Sequence, residues 1–309
     1  MIYKICLFWM GMVACSDAAL EFQNQDDTSD LPPQNIIGGV EIQPGSRPYL
    51  VSLGVDGMGY TGHWCGGSLI SPHAVMTTAD CLFLSGQWHP PIYVDLHRYN
   101  LTDDTGVTRM HLNDISQCDG DVVYHPDYQP GDVVSRNNVA ILFLPEAVTD
   151  ITPIKLNDDP NLPSSEGDPL DIAGWGATSG FVPINSNVPM AVTLEYVSRE
   201  ACTKKPYRWA EEYVKDTMFC GIAQGKGPCY GDGGGPVVLG KPESQGGGPS
   251  SPPVQVGIFS WGIRFFASNP VYDMFPNVFT SVSTVVGKYK QITSKRDSGK
   301  TKFFLNVFS

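Results

Sequence analysis

Short β-type runs separated by turn residues dominate the chain and restrict its fold most strongly. The runs include YLVSLGV, GGSLI, AVMTTA, VAILFL, LDIAGWG, AVTLEYV and VQVGIFSWG, with clusters of Gly, Pro, Asn and Asp between them. Short strands punctuated in this way, with few helical stretches, are typical of antiparallel barrels or sandwiches. The 33 Gly and 25 Pro residues show no repeat period, so they indicate many turns rather than disorder. The sequence predicts an all-β protein.

Length and charge limit the class of protein further. A chain of 309 residues, 41% hydrophobic and 17% charged, suits one large domain or two lobes. The formal net charge of −12 argues against nucleic acid or an anionic membrane surface as a partner. After the N-terminus, no segment is apolar enough to cross a bilayer. The sequence gives no reason to expect a cofactor or a metal.

The N-terminus has the pattern of a secretory signal peptide over residues 1–18. A positive start at Lys4 is followed by an apolar run and then by small residues near Ala18. The alternative is a short buried helix. Residues 19–35 are acidic and polar and are predicted to be a mobile, propeptide-like segment. The sequence therefore predicts a secreted, extracellular protein.

Secretion permits disulfides and N-glycosylation. Asn100-Leu101-Thr102 is a sequon, so Asn100 is the predicted glycosylation site. Two of the eight cysteines lie in the signal segment, and six remain: Cys65, Cys81, Cys118, Cys202, Cys220 and Cys229.

Six stretches in a fixed order resemble the trypsin-like serine proteases. They are IIGG (36–39), HWCGGSLI with VMTTADCL (63–82), NNVAIL (137–142), GDGGGP (231–236), IFSWG (258–262) and FPNVFTSV (275–282). Each stretch is a weak signal alone, but six in order are a strong one. The resemblance covers residues 36–293 and implies two packed antiparallel six-stranded β-barrels. A short C-terminal helix is predicted in STVVGKYKQIT, followed by a tail over 294–309.

The resemblance implies that all three catalytic-triad positions are substituted. Asp80 stands at the histidine position, Asn138 at the aspartate position and Gly233 at the serine position. Glycine has no nucleophile, a carboxylate is a weak base near neutral pH, and an uncharged amide cannot stabilise an imidazolium. These residues predict a pseudoprotease that is not an enzyme. Asn138 is expected to donate its amide hydrogens to the Asp80 carboxylate.

A weak hydrolase is the alternative. Gly233 leaves room for a water molecule that Asp80 would polarise, and the N–H groups of Gly231 and Gly233 would hold an oxyanion. None of the six histidines is an evident replacement base, and the sequence places His63, His73, His97, His111 and His125 in strand or turn contexts.

The resemblance also places the substrate pocket and the N-terminal clamp. Gly227 stands at the specificity position, and Asn277 replaces a glycine, so its side chain is expected to project into the pocket unless the loop shifts and it points outward. Ile36 and Asp232 match the pair that forms when the family's chains are cleaved. Asn35 precedes Ile36, which leaves two readings open: cleavage by an asparagine-specific protease, or an uncleaved, zymogen-like state.

The family pattern pairs Cys65 with Cys81 and Cys202 with Cys220. The usual partner of Cys229 is missing, so Cys118 and Cys229 are expected to be free thiols or to form an intermolecular bridge.

The predicted function is binding of another protein, as an inhibitor of a foreign hydrolase, a decoy or an adaptor in a protease cascade. The loops around the cleft would carry recognition on a rigid body. Four aromatic residues are candidate anchors, with local packing as the more common alternative for each. They are Trp64, Trp209, Phe265 and Phe266. The other possibility is a relic without a partner.

Overall fold

The computed structural model describes residues 36–55, 62–113, 115–116, 121–132, 134, 136–177, 185–241, 248–262, 274–287 and 289. The predicted signal peptide, the acidic segment, the tail, Cys118, Phe265 and Phe266 lie outside these residues. Within the predicted C-terminal helix, the described residues 286–287 and 289 are helical. No helix in the described ranges is long and apolar enough to span a membrane.

The first sheet has seven antiparallel strands and curls into a half-barrel. In spatial order they are β8 (Thr108–His111), β7 (Tyr93–Leu96), β2 (Leu50–Gly54), β3 (His63–Ser71), β4 (Ala74–Thr77), β10 (Ala140–Phe143) and β9 (Val122–Tyr124). Strands β2, β4, β7 and β10 are buried along their whole length. Because residues on both faces are covered, these strands are mostly apolar, and the buried Asp95 in β7 is paired with Arg98 and Arg109.

The second sheet contains a closed barrel of six strands. They are β12 (Pro169–Gly174), β13 (Met190–Val197), β14 (Met218–Ile222), β15 (Pro236–Leu239), β16 (Val254–Trp261) and β17 (Asn277–Ser281), and β14 pairs back onto β13. Strand β1 (Val40–Glu41) adds to β13, and β11 (Lys155–Leu156) adds parallel to β16. Closure pairs the edge strands that an open sheet would expose.

The predicted all-β double-barrel class is confirmed, with one difference in the first sheet. The sequence predicts two six-stranded barrels. In the described structure, however, β8 and β9, the outer strands of the first sheet, are not paired with each other. The physical reason is the exposure of β8, of which only Met110 is partly buried. Closing the sheet on such a strand would bury little apolar area.

Minor elements complete the fold. A hairpin joins β5 (Phe83–Leu84) to β6 (Gln87–Trp88), 3₁₀ turns span Ala79–Leu82 and Val282–Thr284, and α1 covers Arg199–Cys202. The Ser198 side chain caps α1 by accepting from the Ala201 N–H.

One apolar cluster joins the two sheets. Met76 and Ile141 of the first sheet pack in the same buried cluster as Val238 and Ile258 of the second. Buried polar groups also cross between the sheets, since the Ser68 hydroxyl donates to Gln255 Oε1 at 2.7 Å. The loops that carry the site are therefore fixed by a continuous core.

Both predicted disulfides are present. Cys65 is bonded to Cys81 with an S–S distance of 1.98 Å, and Cys202 to Cys220 with 2.01 Å. The first joins β3 to the 3₁₀ turn that carries Asp80. Cys229 is buried in a small apolar cluster with Ile37 and Ala177.

Candidate functional site

The glycine turn over 231–235 is held by backbone hydrogen bonds from both sheets. The Gly66 N–H in β3 donates to the Gly233 carbonyl at 2.8 Å, and the Gly234 N–H donates to the Phe259 carbonyl in β16 at 3.0 Å. Gly234 has φ +79°, and a Cβ there would overlap Thr77 Oγ1 and the Gly66 carbonyl oxygen. The turn therefore requires glycine at 234.

Gly233, at the apex of this turn, is not required by sterics. A Cβ at 233 would meet only the sulfur atoms of Cys65 and Cys81, at 3.8 and 3.9 Å, which are ordinary van der Waals distances. Its φ does not lie in the left-handed region that favours glycine. The backbone would accept a side chain at 233. The space above Gly233 is therefore open only because glycine has no side chain.

Asp80 and Asn138 are brought together, as the sequence predicts, and their contact includes the Asp80 backbone. The Asp80 backbone N–H donates to Asn138 Oδ1 at 2.9 Å, and Asn138 Nδ2 donates to Ser260 Oγ at 2.8 Å. The expected donation from the Asn138 amide to the Asp80 carboxylate stays a prediction, and the Asn138 side chain does act to lower the pKa of that carboxyl group. The N–H at the start of the 3₁₀ turn has no partner within the turn, so it takes the Asn138 oxygen and directs the amide nitrogen to Ser260.

The Asp80 carboxyl group is poorly solvated. Its Oδ1 is buried and has no hydrogen-bond partner among the described residues. Burial raises the pKa of Asp80, although the Thr78 and Asn138 side chains favour its charged form. The residue as a whole is half-buried, but its desolvated carboxyl group holds its proton more readily than an exposed one.

The glycine turn contains two unused backbone N–H donors. Within the described hydrogen bonds, the N–H groups of Gly231 and Gly233 donate to no acceptor. Gly231 has φ +91°, and its carbonyl is 3.0 Å from His63 Nε2. Unused N–H groups in a fixed turn suit a negatively charged or carbonyl oxygen.

His63 is a buried residue of the site that sequence reasoning missed. Its Nδ1 lies 2.7 Å from Ser52 Oγ, and its Nε2 faces the Gly231 carbonyl. Since a carbonyl only accepts, Nε2 carries the proton and Nδ1 accepts from Ser52. Burial lowers the pKa of His63 to about 4, and the Gly231 carbonyl opposes that shift. His63 is thus a neutral support for the turn.

This burial predicts an acid-dependent loss of stability. Between pH 6.5 and about 4, unfolded His63 binds a proton that the folded protein excludes, so the free energy of unfolding falls as the pH falls. The expected contribution is roughly 3 kcal/mol. Urea unfolding of the native chain and of His63→Gln across this range measures it. The raised pKa of Asp80 acts in the opposite direction and is common to both proteins. Parallel stability curves would contradict the assignment.

Asp232 is buried and fully engaged with the backbone around it. It is 1% exposed, its Oδ1 accepts from the Gly176 N–H at 2.7 Å, and its Oδ2 accepts from the Cys229 N–H at 2.8 Å. Ile36 is also buried, in the apolar cluster of the closed barrel, and Ile37 pairs with Gly227. The cleavage of Asn35-Ile36 and the clamp between Ile36 and Asp232 stay predictions, because residue 35 lies outside the described part of the chain.

Gly227 and Asn277 are both buried. Gly227 has φ +152° and donates its N–H to the Ile37 carbonyl at 3.0 Å. Asn277 is 2% exposed, so its side chain does not point to solvent. Its Nδ2 donates to the Gly221 carbonyl at 3.3 Å, and its buried Oδ1 has no partner in the described structure. Their role in a specificity pocket stays a prediction.

Comparison with known proteins decides the family. The family model described as Trypsin matches residues 36–288. The chain belongs to the trypsin family. Relatives of this trypsin-family chain include serine protease 28 of Mus musculus, with 30% identity over 88% of this chain and 95% of the relative. Granzyme M of Rattus norvegicus is 32% identical over 80% of this chain and 85% of the relative. Chymotrypsin of Phaedon cochleariae is 29% identical over 82% of this chain and 80% of the relative.

These comparisons contradict the prediction that the chain is not an enzyme. The matching family model is named for trypsin, and the relatives of this trypsin-family chain are named as a serine protease, a granzyme and a chymotrypsin. Such relatives point to an enzyme. The residues Asp80, Asn138 and Gly233 do not by themselves exclude catalysis, because backbone donors and an activated water remain available.

The aromatic residues of this trypsin-family chain serve packing where the structure describes them. Trp209 is buried, its Nε1 donates to the Pro276 carbonyl at 2.8 Å, and its ring lies 4.7 Å from that of Trp261. Trp64 is half-buried and donates to the Cys81 carbonyl at 2.8 Å. Of the two alternatives for Trp209, local packing therefore agrees with the structure, because its ring is already covered by neighbouring aromatic residues.

Ser260 is a further site residue that the sequence analysis did not single out. It is buried at the end of β16 and receives the Asn138 amide. The IFSWG motif contains this serine. The only available signal was therefore its place in a family motif, since its partner lies 122 residues away in sequence.

Proposed function

We propose that this trypsin-family protein is secreted and binds a polypeptide of another protein at the turn around Gly233, as an inhibitor, decoy or adaptor. Binding is supported by the unused hydrogen-bond donors of this turn and by the space at its apex. Its N–H groups at 231 and 233 have no acceptor among the described residues, and its apex has no side chain. A bound polypeptide would therefore find both hydrogen-bond donors and space. Secretion is supported by the signal-peptide pattern and by the two disulfides.

The rigidity of the turn favours a binding function. Hydrogen bonds from Gly66 and to Phe259 attach it to both sheets, and the Cys65–Cys81 disulfide lies against Gly233. A surface that is already ordered loses little conformational entropy when a ligand binds. Asn138, Ser260 and the Asp80 backbone extend the same fixed network.

Hydrolysis of the bound polypeptide is a second candidate function, and the protease names of the relatives favour it. Gly233 offers no nucleophilic side chain, so water would attack the carbonyl carbon while the carbonyl oxygen lies at the two N–H groups. The Asp80 carboxylate would accept one proton of that water and return it to the amide nitrogen as the C–N bond breaks, which releases a carboxylic acid and an amine. In this scheme the raised pKa of Asp80 makes it a better base than an exposed aspartate.

Site-specific photo-cross-linking tests the binding proposal. Tyr230 is 50% exposed and precedes Gly231, whereas Leu84 is 41% exposed on β5. A photoreactive residue at 230 should capture one polypeptide from the native extracellular fluid in one-to-one stoichiometry, and the same residue at 84 should not. Folded protein that captures nothing from 230, or captures equally from both positions, would contradict the proposal.

The captured polypeptide then distinguishes the two functions. It should stay intact when incubated with the native chain if the function is binding. Fragments produced by the native chain but not by Asp80→Ala would establish hydrolysis instead.

A further inference from the structure

The loop that follows α1 is basic, although the protein as a whole is acidic. Its residues 203–210, TKKPYRWA, contain three cations and no acid, in a chain with a formal net charge of −12. Lys204 pairs with Glu200, four residues earlier in the sequence. Lys205 and Arg208 are exposed and have no ion-pair partner among the residues that the structure describes. The loop therefore carries two uncompensated positive charges.

An open depression with a volume of about 740 Å³ is bordered by these two cations. Volumes in this range are typical of ligand pockets. The apolar part of its wall comes from four residues: Pro206, Tyr207, Ala210 and Met274. The depression thus combines positive charge with an apolar wall.

The wall of the depression is fixed before any partner arrives. The Cys202–Cys220 disulfide closes the loop at its base. The Arg208 backbone N–H donates to the Met274 carbonyl at 2.9 Å, and the indole N–H of Trp209, which also lines the depression, donates to a backbone carbonyl at 2.8 Å. An ordered surface loses little conformational entropy on binding.

Two neighbouring acids determine where an anionic group can lie. Burial raises the pKa of Tyr207, and the charges of Glu166 and Glu195 raise it further. Those carboxylates act on the Tyr207 hydroxyl, so an anion placed at this hydroxyl would meet like charge. The favourable position for an anion is therefore at Lys205 and Arg208, with the apolar part of the ligand against the wall.

An acidic peptide segment fits this surface better than a highly charged polysaccharide does. Two cations beside an apolar wall match carboxylates that flank an aromatic or aliphatic side chain, whose burial removes apolar area from water. A sulfated polysaccharide would leave the apolar wall uncovered. Its remaining charges would also be repelled by a protein with a net charge of −12.

We infer that the depression beside Lys205 and Arg208 is a second binding surface, which takes an acidic segment of a partner polypeptide with an apolar side chain between its carboxylates. The inference goes beyond the proposed function, because this surface does not include the turn around Gly233. It assigns the partner class as proteins with an exposed segment of this composition.

Matched peptide mixtures test the inference. The acidic mixture consists of N-acetyl pentapeptide amides with four aspartates around a central Phe, Tyr, Leu or Ile, and the neutral mixture has asparagine in place of each aspartate. Both are titrated in about 0.15 M salt, which screens distant charges, and the indole N–H signal of Trp209 is followed by NMR. The acidic mixture should shift this signal at a concentration at least about tenfold lower, since two ion pairs together are worth about that factor. Equal potency, or no shift with either mixture, would overturn the inference.

Two further ligands test the choice of a peptide with an apolar residue. An acidic pentapeptide with serine at its centre should need a concentration at least about fivefold higher, because it buries no apolar side chain. Equal potency of this peptide would show that the apolar wall is not used. A sulfated polysaccharide that shifts the Trp209 signal at a lower concentration of charged groups than the acidic mixture would overturn the assignment to a peptide.

Charge-reversal variants connect the binding to the two cations. Lys205→Glu combined with Arg208→Glu should abolish the shift by the acidic mixture, because like charges replace favourable ones. Lys155→Glu combined with Lys241→Glu makes the same change in net charge at two exposed lysines elsewhere and should leave the shift in place. Urea unfolding confirms that both variants are folded. A shift that survives the first pair of changes, or that both pairs abolish, would overturn the inference.

The failure of this inference is separable from failure of the proposed function. Gly233→Arg fills the space at the glycine turn and should not alter the Trp209 shift, and neither should Gly287→Arg at an exposed and unobstructed position. Loss of the shift in Gly233→Arg alone would place the peptide at the turn and remove the second surface. The cross-linking experiment at position 230, which uses no peptide, decides the proposed function by itself.

Discussion

A triple variant with Gly233→Ser, Asp80→His and Asn138→Asp is expected to react with a fluorophosphonate reagent at least about 1,000 times faster than the native chain. The reagent forms a bond to an activated serine oxygen, which the native residue 233 cannot supply. The three substitutions together provide a nucleophile, a base and a charge that orients the base.

The local structure should accept each of these changes. A serine Cβ at 233 would contact only two sulfur atoms at ordinary distances. An aspartate at 138 can accept from the residue 80 N–H and from the Ser260 hydroxyl, which preserves the two contacts that Asn138 makes. Such an aspartate would face a histidine placed at the start of the 3₁₀ turn.

The single variant Gly233→Ser is the matched control. It has the nucleophile without the base, and residues of a triad act as a unit, so it should gain only a small fraction of the rate. The rates are measured by the time course of covalent labelling. If the folded triple variant reacts no faster than Gly233→Ser, then Asp80 and Asn138 do not occupy the positions that the site assignment gives them.

Removal of the Asp232 side chain should have the largest effect on stability. Asp232→Ala is expected to lower the free energy of unfolding by about 4 kcal/mol, because each buried N–H left without an acceptor costs about 1–3 kcal/mol. The two affected donors are the N–H groups of Gly176 and Cys229, which now donate at 2.7 and 2.8 Å. Urea unfolding at constant pH measures the loss.

Two further variants make this result specific. Asp232→Asn keeps one acceptor oxygen and should lose about half as much stability. Glu146→Ala removes an exposed acid and should change the free energy by less than about 0.5 kcal/mol. A loss below about 1 kcal/mol for Asp232→Ala would show that the carboxylate does not hold the turn.

Local motifs predicted the architecture well, and long-range contacts account for what they missed. The apolar runs and the GDGGGP turn indicated the β class and the positions of Asp80 and Gly233. The open first sheet was not predictable, because closure depends on whether the outer strand β8 is exposed, and its residues are not unusual for a strand. The two disulfides agree with the pairing that the family pattern implied.

The candidate site was predictable in position but not in detail. The partner of Asn138 is decided by a backbone N–H that the 3₁₀ turn leaves unused, which no residue pattern reveals. His63 supports Gly231 across 168 residues of sequence, so its role appears only when the strands are assembled. The contact that covers Trp209 with Trp261 likewise forms only when the strands are assembled.

A binding isotherm for the captured partner tests the central claim most directly, since that claim is that a polypeptide occupies the space above Gly233. The purified partner is titrated against the native chain, Gly233→Arg and the control Gly287→Arg, and unfolding confirms that all three are folded. We expect one-to-one binding to the native chain and to Gly287→Arg, and affinity at least about 100-fold weaker for Gly233→Arg, which fills the space. Unchanged affinity of folded Gly233→Arg would contradict the account.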